Sequence, residues 1–288
     1  MGFFASVNGT IVPAEEARVS VLDTGFTFGD GVYETLRTYH GRPFHLDRHL
    51  ARLRGSASRI GIEIPFRDEV LAARLDAVLE RAANPESYIR ILVSRGVGDI
   101  SYRFDRVKGP TTVLVVREFE PPPEASFSEG VPVVIASTRR NHPRSLDPAI
   151  KSCNLLNNIL AVREAQAKGA AEAILLNDLG EVAEGASSNL FLVKSSTVLT
   201  PPLDAGILPG VTRAVVLELA RQLGLTVREQ ALRVPELLAA DEAFVTSTVR
   251  EVLPVRSVDG TPVGAGQPGT VTLRLLAALR EYAPSHCS

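Results

Sequence analysis

Lys151 is the residue in this sequence best placed for covalent chemistry. It lies in DPAIKSCNLLNNILAVREA (147–165), downstream of Arg139 and Arg140 and of the prolines at 143 and 148. A lysine amine whose charge is disfavoured by partial burial forms an imine with an aldehyde. Leu155, Leu156, Ile159, Leu160 and Val162 follow at helical spacing, so an amphipathic helix with Lys151 at its threshold is expected. On this stretch alone, a solvated surface lysine is the ordinary reading.

Four further groups of residues add to it. In ILPGVTRAVVLELARQLG (207–224) a Pro-Gly turn feeds a helix. Its first amides, near Val211 and Thr212, lack intrahelical partners, and with the Thr212 hydroxyl they form a cradle for an anion. Glu184, in EVAEGASSNLFLV (181–193), precedes small polar residues and a buried strand. A carboxylate there can hold a pyridinium N–H, with Ser187, Ser188 and Asn189 either orienting it or donating to phosphate. Arg52 lines up with His49 and Ser56 beside the apolar stripe of its helix, where a guanidinium suits bidentate phosphate recognition. Tyr88 and Arg90 alternate on one strand with Leu92, as Tyr33 and Thr35 do on another, so each set shares a sheet face. Tyrosine and arginine beside leucine can bind a carboxylate next to an apolar pocket. Each group also has an ordinary reading, namely a capped helix, a polar turn, a solvated charge and a polar sheet face.

The elements that position these residues read as follows. Residues 3–12 form two short strands around Asn8-Gly9, the commonest two-residue hairpin turn. Glycines at 25, 29 and 31 are expected to break any helix before a strand at 32–39. Leu46, Leu50, Leu53, Ala57 and Ile60, spaced 4, 3, 4 and 3, predict a helix stopped at Gly61. A second helix is expected over 67–83 and strands over 88–94 and 111–119. The three consecutive prolines in EFEPPPEASFS (118–128) predict a semi-rigid, extended linker. Beyond it come strands at 131–137, 172–177, 189–193, 226–232 and 243–247, and helices at 212–223 and 270–281. The expectation is an α/β (α+β) chain of two mixed domains: a small one over 1–117, the linker, and a large one over 129–288.

Composition bounds the function. The chain has 288 residues, 45% hydrophobic and 22% charged, ample for real cores. A net charge of −2 with mixed signs gives no electrostatic case for nucleic acid or an anionic membrane. Cys153 and Cys287 are too few and too far apart for a disulfide framework and fit a reducing cytosol. With no charged-then-apolar leader and no long apolar run, a cytoplasmic protein is expected. No metal-ligand spacing is present.

Taken together and in order, VNGTIVP, FGDGVYETLR, HLARL, IKSCNLLNNILA, EGASSNLF, LPGVTR and FVTSTVREVLPV resemble the fold-type IV pyridoxal-phosphate enzymes. That family comprises branched-chain aminotransferases, D-amino-acid aminotransferases and aminodeoxychorismate lyases. The resemblance covers nearly the whole chain. It implies pyridoxal 5′-phosphate as cofactor, Lys151 as the lysine that carries it and Glu184 as the partner of its ring nitrogen. It further implies that Arg52, Thr212, the Val211 amide and Thr248 hold the phosphate, with Ser188 and Asn189 nearby and Leu208 on the ring face. A homodimer is implied as well, with each active site at the domain and subunit interface.

Within the family, Tyr88-Ile89-Arg90 resembles the Tyr-x-Arg strand that serves substrate carboxylates in branched-chain enzymes. The loop RGVGDISYRFD (95–105) lacks the Arg-x-His pair of D-amino-acid enzymes, leaving Arg103 as a displaced substitute. Thr35 stands where branched-chain enzymes have glycine, a feature shared with the lyases, and Leu156 where many have a ring-contacting tyrosine. The resemblance thus implies a transaminase between an L-branched-chain or hydrophobic amino acid and a 2-oxo acid such as 2-oxoglutarate. D-amino-acid transamination and 4-amino-4-deoxychorismate lysis are the alternatives. An intact Lys151, Glu184 and Arg52 set argues against a non-catalytic cofactor carrier.

Overall fold

The computed structural model of the protein describes residues 2–288 and divides into two compact units. The first runs to Glu120 and also takes in Ile150–Leu155 and Ala283–Ser288; the second comprises Pro121–Ala149 and Leu156–Tyr282.

The first unit contains β1 (Phe4–Val7), β2 (Thr10–Pro13), α1 (Thr24–Phe28), β3 (Gly31–Tyr39), β4 (Arg42–Pro43), α2 (Leu46–Arg59), α3 (Asp68–Ala82), β5 (Ser87–Ser94) and β6 (Thr111–Glu118). Its strands form one antiparallel sheet in the order β2-β1-β6-β5-β3-β4. Strict alternation decides which side is core. Val32 and Leu36 of β3, Ile89, Ile91 and Val93 of β5, and Leu114 and Val116 of β6 point one way. They join Leu46, Leu50, Leu53 and Ala57 of α2 and Leu71, Leu75 and Val78 of α3 in one buried cluster. Each fully buried Leu or Ile contributes about 1.5–3 kcal/mol relative to exposure, enough to fix the register of β3 and β5. The other face therefore carries Tyr33, Thr35 and Arg37 beside Leu92, Arg90 and Tyr88.

The second unit contains α4 (Glu124–Ser128), β7 (Val131–Ile135), α5 (Leu156–Ala167), β8 (Glu172–Leu176), β9 (Val182–Gly185), β10 (Asn189–Lys194), β11 (Thr197–Thr200), α6 (Val211–Gln222), β12 (Thr226–Glu229), α7 (Val234–Leu238), β13 (Glu242–Ser247), β14 (Glu251–Val258), β15 (Thr261–Pro262) and α8 (Thr270–Tyr282). The sheet order is β12-β11-β10-β13-β14-β7-β8-β9, with β15 on β14. The pairs β11·β12, β14·β7 and β7·β8 are parallel and the rest antiparallel. Buried on both faces, β8 shows no alternation at all. Phe191 and Phe244, opposite each other on β10 and β13, stack with ring centroids 4.9 Å apart.

Three expectations are corrected. Glycine at 25 does not prevent a helical turn: α1 forms because Asp23 accepts the Gly25 amide at 2.8 Å, and it ends at Gly29. The proline run is extended, but residues 124–128 after it coil into α4, whose Phe127 is buried. The apolar stripe expected to bury α5 is exposed instead, with Leu156, Ile159 and Leu160 at 62%, 52% and 41%. The helix is seated by Ala161 and Ala165 against Ala173, Leu175 and Val134, where only small side chains allow so close an approach. Lys151 accordingly lies ahead of α5, in an extended segment of the first unit.

Candidate active site

In the first unit the backbone of Lys151 is held on both sides. Its N–H donates to Ser56 Oγ at 3.1 Å, and its carbonyl accepts the Tyr33 N–H at 2.9 Å. Next to it, Ser152 bridges Val32 and the Cys153 N–H donates to the Gly31 carbonyl at 2.8 Å, so this segment lies along the start of β3. The lysine Nζ then sits 4.5 Å from the centre of the Tyr33 ring. The Arg90 guanidinium approaches the same ring to 4.2 Å. Burial pushes the Tyr33 hydroxyl above its ordinary value, with Arg90 opposing, so the phenol stays neutral. Cys153 is also kept protonated, burial pushing its thiol up to about 11.

Around Arg90 the register is informative. Thr35 and Val115 stand opposite it on the neighbouring strands, and Leu92 faces Tyr33 and Val113. One cation is thus set among a threonine, a tyrosine and aliphatic side chains, a surface that can take a carboxylate or an alkyl chain. Tyr88 lies further along this face with the Arg117 guanidinium over its ring at 4.7 Å. Arg103 is elsewhere. It is exposed on the loop before β6 and paired with Asp105 at 2.8 Å.

Arg52 projects from α2 onto Glu34, donating from Nε to Oε1 and from a terminal nitrogen to Oε2, both at 2.7 Å. His49 Nδ1 meets Oε2 at 2.8 Å. Burial works against ionisation of Glu34, but the Arg52 charge and hydrogen bonds, helped by His49, hold its carboxyl well below the usual carboxylate range. Burial also lowers His49, outweighing the opposing pull of Glu34. Sequence reasoning misses Glu34; its signal is a carboxylate in phase with Val32 and Leu36 on the buried side of β3.

In the second unit Glu184 is buried on β9, paired with β8 at Leu175. Arg140 Nε donates to its Oε1 at 2.9 Å; Asn189 Nδ2 and the Leu208 amide donate to Oε2 at 3.1 and 3.0 Å. Arg140 is in turn held by Asn157 at 3.1 Å. Sequence reasoning misses this role of Arg140 too, although a buried carboxylate demands a cation and the Arg139-Arg140 pair is its trace in the sequence. Asn189 also donates to the Leu208 carbonyl at 3.0 Å, tying the Pro-Gly turn to β10. Its Oδ1 leaves no room for a Cβ at Gly210. That glycine opens α6 without any side-chain cap, so the Val211 and Thr212 amides remain as donors.

The second unit also holds buried hydroxyls with no hydrogen-bond partner among the described residues, Thr212 Oγ1 at this helix start and Thr246 Oγ1 and Ser247 Oγ on consecutive residues of β13. Thr246 stands opposite Asn189 in the ladder, and Thr248 follows on the turn after β13. Buried hydroxyls left unpaired cost stability unless something accepts their hydrogen bonds. Together with a helix N-terminus they fit a phosphate group. Ser188 does not face this cluster, since its hydroxyl donates to Glu172 at 2.9 Å. A pyridine ring with a phosphate arm thus finds its donor set here: an anion for the ring nitrogen in Glu184, and orphaned hydroxyls and amides for the phosphate.

The model of the amino-transferase class IV family matches residues 31–258. The chain belongs to the class IV aminotransferases. It is 40% identical to a putative branched-chain-amino-acid aminotransferase of Methanocaldococcus jannaschii over 93% of this chain and 92% of that protein. It is 38% identical to a D-alanine aminotransferase of Bacillus licheniformis over 95% and 94% of the two chains. Among solved structures, the branched-chain amino acid aminotransferase of Thermobaculum terrenum in its PLP-bound holo form superposes with a TM-score of 0.87. It shares 30% identity, covering 98% of this chain and 94% of that one.

Proposed function

We propose that this class IV aminotransferase uses pyridoxal 5′-phosphate to move an amino group between L-branched-chain or other hydrophobic amino acids and a 2-oxo acid such as 2-oxoglutarate. The observation that carries the substrate assignment is Arg90 on a sheet face with Tyr33, Thr35, Leu92, Val113 and Val115. An enzyme alternating a hydrophobic amino acid with glutamate has to accept both an alkyl chain and a γ-carboxylate. A guanidinium that pairs with the carboxylate, or rests on a tyrosine ring when none is there, accommodates both.

When bound, the cofactor supplies an electron sink for the substrate carbon that loses its proton. Lys151 is the residue that binds it covalently, and its Nζ is the base that takes the α-proton. The clamp from Ser56 and Tyr33 fixes where that nitrogen starts. Glu184, oriented by Arg140, Asn189 and the Leu208 amide, holds the proton on the ring nitrogen. Leu208 would pack on the ring. Val211, Thr212 and Thr248 would hold the phosphate, with Asn189 bracing the turn and Ser188 behind it. Arg52, whose fork lies on Glu34, would add its charge to the phosphate's binding.

D-amino-acid transamination is the second reading, favoured by the D-alanine aminotransferase relative; Arg103, exposed and paired with Asp105, does not add to it. A panel of L- and D-amino donors with 2-oxoglutarate tests the assignment. Turnover of L-leucine, L-isoleucine and L-valine is expected. Turnover of D-alanine without L-leucine would replace it.

A cytoplasmic homodimer completes the proposal. Among the described residues no helix is long and apolar enough to cross a membrane. Exposed Leu156, Ile159 and Leu160, with Phe26, Ile100 and Tyr102, supply apolar surface for a second copy. Sedimentation equilibrium should return twice the chain mass.

A further inference from the structure

Glu172, the first residue of β8, is a buried carboxylate that no step above uses. Its Oε2 accepts from Ser187 Oγ at 2.8 Å, Ser188 Oγ at 2.9 Å, the Ser187 amide at 3.3 Å and an Arg250 terminal nitrogen at 2.8 Å. Its Oε1 accepts its neighbour's amide, Ala173, at 2.9 Å. The donors come from two separate turns. Ser187 and Ser188 join β9 to β10, immediately before Asn189. Arg250 closes the turn from β13 to β14, which follows Ser247 and carries Thr248. Gly185 is shaped to this arrangement: a Cβ there would collide with Ser188 Oγ and press on the Glu172 side chain.

We propose that Glu172 is a positioning residue for the phosphate end of the cofactor site. One buried anion ties together the two turns that present Asn189, on one side, and Ser247 and Thr248, on the other. It also engages Arg250, so that the turn carries its hydroxyls, rather than a mobile guanidinium, toward the orphaned donors of Thr212 and Thr246. A carboxylate suits this job because its Oε2 accepts from two hydroxyls while its negative charge pairs with the Arg250 guanidinium, a charge that a neutral amide does not carry. The inference rests on the cofactor reading above and deepens it.

The test is equilibrium binding of pyridoxal 5′-phosphate and of pyridoxal, which lacks the phosphate, to the full-length protein freed of cofactor. Wild type should bind the phosphorylated form far more tightly. In Glu172→Gln that preference should shrink roughly 10- to 100-fold, while pyridoxal affinity stays within about twofold. Ser188→Ala and Arg250→Gln should each shrink it roughly 3- to 10-fold, and Arg250→Gln should add little on top of Glu172→Gln. These two variants also keep the inference testable if Glu172→Gln does not fold. A purely structural Glu172 would weaken both ligands equally, and that result, or an unchanged preference in the folded variants, overturns the proposal. Failure of wild type itself to prefer the phosphorylated ligand would instead overturn the cofactor reading.

Discussion

Two buried polar regions of this protein look alike in composition and differ in what is left over. In the first unit, the Glu34 carboxylate is saturated by Arg52 and His49, side chain on side chain, at 2.7–2.8 Å. In the second unit, Thr212, Thr246 and Ser247 present buried hydroxyls with no hydrogen-bond partner among the described residues. Both cost desolvation; the Glu34 carboxylate recovers its share within the fold, although the Nε2 of His49 has no partner among the described residues. The closed cluster fixes α2 on β3 and so holds Ser56 against Lys151; the open region keeps donors that a bound ligand would satisfy. Glu184 belongs with the open region, since its partners include the amide of Leu208 on the very turn that starts α6.

The comparison predicts different failures on the two sides. On the open side, Glu184→Gln should leave fold and cofactor binding intact while slowing the half-reaction by roughly 10²–10⁴, the effect of losing one preorganised charge. Single-turnover absorbance measures this, and wild-type rates would demote Glu184 to a strand residue. On the closed side, Glu34→Ala strands Arg52 and should lower unfolding free energy by about 3–5 kcal/mol in urea titrations. Thr212→Val, by contrast, should leave the cofactor-free protein as stable as wild type or slightly more so, and weaken only cofactor binding. Equal destabilisation by the two variants would erase the distinction between the regions.

A smaller effect is expected at Arg90. Losing one charge-assisted pair costs about 1.5–3 kcal/mol, so Arg90→Ala should weaken 2-oxoglutarate or glutamate roughly 10- to 150-fold, and leucine or its oxo acid much less. Equal losses would make Arg90 structural.

The smallest effect is a pH dependence. His49 is held below its ordinary value of 6.5, so above that pH neither the folded nor the unfolded chain binds its proton. Below it the unfolded chain takes up a proton that the folded one refuses, and stability falls as pH falls, by at most about 1.4 kcal/mol per pH unit. Glu34 has the same sign but acts lower, its contribution being present above the ordinary carboxylate value of 4.5 and lost as pH falls below it. His49→Gln should flatten the upper part of this curve, between pH 6.5 and 4.5, and leave the lower part. An unchanged slope there would show that His49 takes up its proton in the folded state.

The same contrast explains what the sequence makes legible. Alternation on β3 and β5 and the stripe on α2 translate directly into the first unit, because one face of each is buried and the register follows. The Pro-Gly start of α6 and Glu184 ahead of a buried strand are equally readable, being local signals. Partners distant in sequence are not: Glu34 with Arg52, Arg140 with Glu184, and Glu172 with Arg250 are set by how strands and turns come together. The exposed stripe on α5 misleads for a related reason. Helical periodicity reports an apolar face without saying what covers it, and here alanines face the sheet.

The most direct test of the account concerns Lys151. The chain has four lysines. Lys168 and Lys194 are exposed and paired with Asp259 and Asp241, and Lys108 is exposed on the loop before β6. Lys151 alone has its backbone clamped and its amine set against an aromatic ring. Borohydride reduction of the pyridoxal-phosphate-loaded protein, followed by peptide mapping, should place the phosphopyridoxyl label on Lys151 and nowhere else. Label on Lys108, Lys168 or Lys194, or none at all, would contradict the assignment.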